Sequence, residues 1–264
     1  MPIFAAFSLA AAISAAPAAA DDTLEQRLAA CLACHSVKEH GDVYFPRIAG
    51  KPAGYLYNQL RNFRDGRRHY PMMTYMVTQL PDAYLREIAD YFAARHPPYA
   101  TAAAGSAGGA GAAQLARGEA LVRQGDTGKK IPACVACHGA ALTGVEPATP
   151  GLLGLPSDYI NAQFGNWKNR SRRAAAPDCM ADIAARLSEA DVAAVSAWLS
   201  KQPPDAAARP ATSLPAPAPL ACGSVPAPAA SASDRAAHAA AAAPATGAGA
   251  ASGSGASGAT GSAK

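Results

Sequence analysis

Residues 31–37 read CLACHSV and residues 134–140 read CVACHGA. Two cysteines, two spacers and a histidine occur twice in a chain that is otherwise rich in alanine. Their surroundings repeat as well. Pro46, Gly50, Pro52, Tyr55, Gln59, Asn62 and Phe63 fall on Pro150, Gly154, Pro156, Tyr159, Gln163, Asn166 and Trp167, all at one offset without a gap. A second ungapped block sets Met73, Leu80 and Tyr91 over Met180, Leu187 and Trp198. The chain is therefore read as an internal duplication.

Composition marks out the two copies. The stretch HPPYATAAAGSAGGAGAAQ, residues 96–114, is rich in glycine and alanine and reads as a linker. From Pro203 onward alanine, proline, glycine and serine run almost without interruption. Such a segment buries too little to order itself, at least beyond Cys222. The expected organisation is residues 21–96 as one body, 97–113 as linker, 114–204 as a second body and 205–264 as a tail, disordered beyond 224.

The first 20 residues, MPIFAAFSLAAAISAAPAAA, are apolar and end in small side chains before Asp21 and Asp22. They resemble a secretory signal cleaved after Ala20, although no Lys or Arg opens it. Export would place the mature chain in an oxidising compartment. The remaining pair, Cys179 and Cys222, is then expected to form a disulfide. The formal charge of +4 is too weak to point to nucleic acid.

The bodies read as helical. Leu85, Ile88, Ala89 and Phe92 sit at i, i+3, i+4 and i+7, and Val192, Val195 and Leu199 continue the same pattern in the second copy. Ser188 followed by Asp191 resembles a capping box. No run alternates long enough for a strand. Large apolar side chains are sparse, so each small body needs help to build a core.

Three chemistries compete for the cysteine pairs. A zinc ribbon needs two C-x-x-C pairs roughly 15–20 residues apart, whereas here each body holds one pair. A thioredoxin-like pair needs a βαβ setting and does not require the histidine. Covalent c-type haem uses every position: the thiols anchor the macrocycle and the histidine binds the iron from below. Cys31, Cys34 and His35 are assigned to one haem, and Cys134, Cys137 and His138 to the other. Each haem would also fill much of its domain.

The repeat points to a sixth ligand. Met73 and Met180 are the methionines that fall in register, so they are read as axial ligands. Met72 and Met76 are read as core filler. A thioether favours reduced iron and closes the coordination sphere. Arg61, Arg64, Arg67 and Arg68 precede the first methionine; Lys168, Arg170, Arg172 and Arg173 precede the second. Some are expected to meet haem carboxylates and the rest to form a basic rim. Tyr55, Tyr159, Tyr91 and Trp198 are read as packing residues. His40, His69, His96 and His238 have no counterpart in the other copy and are read as surface residues.

In order, the chain shows C-x-x-C-H, P-x-x-A-G, Y-L-x-x-Q-L-x-x-F, an Arg-rich loop, Met, and a closing helix. This resembles class I cytochrome c, and two such units in tandem resemble the diheme cytochrome c4 family over residues 25–202. The resemblance implies an all-α fold of two cytochrome c-like domains, each of a few short helices around a covalently bound haem. It implies His35 with Met73 and His138 with Met180 as axial pairs. It further implies an electron-transfer protein rather than an enzyme. That protein would be periplasmic, would associate peripherally with the membrane, and would work between a donor and an acceptor such as a bc1 complex or a terminal oxidase. The alternative is a cytochrome subunit of a periplasmic dehydrogenase, or a diheme thiosulfate dehydrogenase-like enzyme.

Overall fold

The structure is a computed structural model that describes residues 23–35, 44–97, 109–202, 205 and 207–226. The signal-like segment, most of the linker, the tail beyond Pro226, His40 and His238 lie outside the described residues.

The first half holds α1 (Leu24–Arg27), α2 (Ala29–Cys34), α3 (Ala53–Arg64), α4 (Pro71–Val77) and α5 (Asp82–Ala93). A capping box starts α1: the Thr23 hydroxyl accepts from Gln26 N, and the Gln26 side chain accepts from Thr23 N. α5 turns Leu85, Ile88, Ala89 and Phe92 inward, the stripe expected from their spacing. They pack with Leu28 before α2, with Leu56 and Phe63 of α3 and with Val77 of α4. Each fully buried large side chain contributes about 1.5–3 kcal/mol. Gly66 ends the α3 region at φ 70°, a left-handed conformation that glycine adopts without cost.

The second half holds α6 (Ala112–Arg123), α7 (Val135–His138), β1 (Gly144–Val145), β2 (Thr149–Pro150), α8 (Ser157–Lys168), α9 (Cys179–Arg186) and α10 (Glu189–Ser200). α6 lies against α10. The close approach depends on Gly118, where a Cβ would collide with the Ala194 carbonyl. Trp198, Val195, Leu199, Leu121 and Phe164 form the centre of this core. The Ser188–Asp191 capping box is present in full. Two short strands pair antiparallel, Gly144 with Pro150 and Val145 with Thr149. They were not expected, because two residues are too few to leave an alternating pattern.

The halves meet along the loops that follow α3 and α8. Arg68 and Arg172 face each other in an antiparallel bridge. His69 N donates to Ser171 O at 2.7 Å, and Arg173 N donates to Arg67 O at 2.7 Å. Equivalent residues of the two copies thus pair with each other, and the contact has an approximate two-fold symmetry.

Candidate haem sites and the contact between the halves

In the first copy Cys31 and Cys34 sit on α2 with His35 as its C-cap, so one helical turn carries both thiols and the imidazole. In the second, Cys134 precedes α7, and Cys137 and His138 lie within it. None of these four cysteines is in a disulfide.

His138 is buried, and its Nδ1 lies 2.7 Å from the Pro150 carbonyl. This contact orients the ring and leaves Nε2 for a metal. Burial lowers the His138 pKa, which favours the neutral form that binds iron. His35 is arranged in the same way toward the Pro46 carbonyl, the repeat partner of Pro150, and burial lowers its pKa too. The first contact is looser: His35 Nδ1 is buried without a completed hydrogen bond.

Met73 packs on the same core as Cys31, and Met180 on the same core as Cys134. Each in-register methionine therefore shares a core with the motif of its own half. Met76 also packs inward, as expected. Met72 corrects the reading of it as core filler: it is 60% exposed. One residue before Met73 on α4, it points about 100° away from the buried side.

Several features fit a carboxylate-bearing macrocycle. A cleft of about 760 Å3 opens between the end of α8 and α9, lined by Trp167, Lys168, Arg172, Asp178, Ala181 and Ala185 among others. That volume is in the range of cofactor sites. Trp167 joins the cleft to the core around Cys134 and Met180. Its Nε1, a donor only, is buried without a partner. Such a donor costs stability unless an acceptor reaches it. The lining does not include Cys134, Cys137 or His138.

The arginines divide into two groups. Arg61, Arg64 and Arg67 are ion-paired with Asp65, and Arg64 also with Asp82 at 2.7 Å. Lys168 donates to Leu187 O. Arg68 and Arg172 instead form the contact between the halves. Arg68 donates to Gln59, Tyr159 and Gln163, and Arg172 donates to Gln163, Tyr55 and Gln59. Burial, and then repulsion from Arg68 beside it, lower the Arg172 pKa. Lys51 adds a third cation, donating to Gly151 O at 2.9 Å across the boundary, and burial lowers it to about 8.

Arg68 and Arg172 carry no ion pair within 4 Å among the described residues, so they suit an anionic group nearby. Reading Tyr55 and Tyr159 as packing residues missed the hydroxyls that bind these arginines. The signal was in the repeat: the offset that matches the tyrosines also matches Gln59 with Gln163 and Arg68 with Arg172. His69 and His96 are exposed, as expected.

Cys179 and Cys222 are joined in a disulfide, 43 residues apart in sequence. No helix among the described residues is long and apolar enough to cross a membrane.

The cytochrome c family model matches residues 26–95 and 115–203. The chain is 37% identical over 182 residues to the thiosulfate dehydrogenase electron acceptor of Thiomonas intermedia, covering 66% of this chain and 79% of that one. It is 35% identical over 178 residues to cytochrome c4 of Pseudomonas aeruginosa, covering 66% and 85%. Among solved structures, reduced cytochrome c4 from Pseudomonas stutzeri superposes with a TM-score of 0.56 at 28% identity, covering 67% of this chain and 95% of that one. A thiosulfate dehydrogenase from Marichromatium purpuratum superposes at 0.58 with 30% identity, but the match spans only 36% of that longer chain. With its two tandem domains and two covalently bound c-type haems, the chain belongs to the cytochrome c family, in its diheme cytochrome c4 branch.

Proposed function

We propose that this chain is a periplasmic electron relay in a respiratory chain, passing electrons between a reduced donor and a terminal oxidase. Cys31 and Cys34 anchor one haem, with His35 and Met73 as its axial ligands. Cys134 and Cys137 anchor the other, with His138 and Met180. The observation that carries this reading is the pair of matched methionines, each on the core of its own motif. The haems supply one-electron chemistry at iron. The chain's own part is to fill both axial positions and to hold the imidazoles in place.

Potentiometry with added CO tests this. Two low-spin haems at positive potential, both inert to CO, are the expected result. A haem that binds CO in the unaltered protein overturns the relay. Met73→Ala should open the first haem to CO and lower its potential by on the order of 0.2 V, a fraction of the ~0.8 V that axial ligands command.

A second reading has its own support. The relative from Thiomonas intermedia is named as the electron acceptor of thiosulfate dehydrogenase. On this reading the donor is that class of enzyme, and this chain is its non-catalytic acceptor. Stopped-flow reduction by a thiosulfate dehydrogenase, with thiosulfate as the electron source, should be fast if this donor is correct. A rate no greater than that of an unrelated c-type cytochrome would exclude it.

A further inference from the structure

Residues 207–226 lie beyond the stretch that matches the family model, yet they make specific contacts. Thr143 Oγ1 donates to Arg209 O at 2.8 Å. Ala211 N donates to Gly144 O at 2.9 Å, and Glu146 N donates to Ala211 O at 2.8 Å, so the segment pairs with the loop after the second C-x-x-C-H. Further along, Cys222 is bonded to Cys179. Gly223 N donates to Pro177 O at 2.9 Å, and Ala175 N donates to Ser224 Oγ at 3.3 Å. The approach is close enough that a Cβ at Gly223 would collide with the Ala176 carbonyl. Asn58 Nδ2, on α3 of the other half, donates to Ser224 O at 2.8 Å.

One short segment therefore touches the loop after the motif, the loop that leads into Met180, and a helix of the first half. Met73 has no such brace among the described residues. α4 begins at Pro71 without a side-chain cap, and Tyr70, Met72 and Tyr75 around it are exposed.

We propose that residues 207–226 are a strap that positions Met180, with the Cys179–Cys222 bond as its lock. The proposal rests on the reading of Met180 as an axial ligand. A neutral thioether brings no charge to hold it on iron, so the groups behind its loop decide whether it stays in place. Asp178 braces that loop from within, accepting from Ala174 N and Ala181 N. The strap braces it from outside, one residue from Met180. Cys179, Cys222, Gly223 and Ser224 are on this view positioning residues for the second haem.

The test uses the full-length holoprotein and two separate ways of releasing the strap. The double variant Cys179→Ser/Cys222→Ser removes the lock. Gly223→Val keeps both cysteines and forces the strap off the Ala176 carbonyl. The potential and CO binding of each haem are read, with Met73→Ala and Met180→Ala assigning the signals. The expected result is a fall in the second haem's potential, with CO binding at that haem alone, while the first haem is unmoved. If both potentials match the unaltered protein, the strap does not position Met180. If both haems shift equally, the segment is a general stabiliser and the proposal fails. If Met180→Ala leaves the second haem unchanged, the ligand reading fails and the strap proposal falls with it. If Met180→Ala moves that haem and the strap variants do not, only the strap proposal is overturned.

Discussion

The two halves share a sequence template and differ in how firmly each ligand region is held. In the second half the imidazole of His138 is fixed by a 2.7 Å contact to Pro150, whereas His35 lacks a completed bond at the equivalent place. α9 is capped by Asp178 and tied to Cys222, whereas α4 has neither brace and shows aromatic residues to solvent. The helix ends differ too. Asp191, at the start of α10, pairs with Arg117 and Lys129, whereas the corresponding part of α5 places Tyr84 beneath Arg27. The two copies share the residues proposed for haem attachment and ligation and differ in their bracing. The second half should therefore be the more robust of the two.

Removing a haem anchor gives the largest test of this difference. Cys31→Ser/Cys34→Ser should leave one haem per chain and unfold the first half, since α1 and α2 are short and its core needs the macrocycle. Cys134→Ser/Cys137→Ser should also leave one haem but retain the packed α6–α10 pair. Haem content and helical circular dichroism on both variants check this. Equal loss of helix in the two would show that the halves depend on haem to the same degree.

A smaller effect is expected at Asp191, whose side chain is 5% exposed. Burial by itself would raise its pKa, but hydrogen bonds from Lys129, Ser188 and Arg117 outweigh burial and hold it well below the usual carboxylate range. A depressed carboxylate contributes stability that is fully present above its unfolded value of about 3.8 and is lost as pH falls through the folded one. The second half should accordingly weaken below about pH 4. Asp191→Asn should flatten that dependence and cost about 2–3 kcal/mol at neutral pH. This is less than a fully buried pair, because Arg117 and Lys129 are partly solvated. Chemical denaturation across pH measures both effects, and an unchanged acid profile in the variant would remove Asp191 from the account.

The smallest effect concerns the contact that joins the halves. Arg172→Leu leaves Tyr55 without its arginine, leaves Gln59 and Gln163 with Arg68 alone, and should cost about 2 kcal/mol. Calorimetry should then show one transition separating into two, with the first half melting earlier. A single transition at an unchanged temperature would mean that the halves are held by other contacts.

Much of the fold was legible because it rests on local periodicity. The stripe Leu85, Ile88, Ala89 and Phe92 describes one face of α5, and the Ser188–Asp191 pair marks the start of α10. Both signals lie within a few residues of chain. The candidate haem positions were legible because attachment chemistry demands a fixed spacing, and the repeat then singled out one methionine in each copy. Met72 was misread for the opposite reason. Its side depends on where α4 meets the core, and a seven-residue helix has too few apolar positions to show that by pattern.

The sequence by itself determined that there are two copies of one unit and that each is helical, and it singled out the cysteines, histidines and methionines proposed to carry the chemistry. Those facts are written in spacing and register. Only the tertiary structure decided that Arg68 and Arg172 join the two halves, because their partners Gln163 and Gln59 lie in the opposite copy, 95 and 113 residues away. It also decided which groups meet the segment that the expected disulfide ties down: Gly144, Glu146 and Pro177 through the backbone, and Asn58 of the other half. Composition measures what a segment can bury alone. It takes no account of a row of backbone partners that hold the segment from outside.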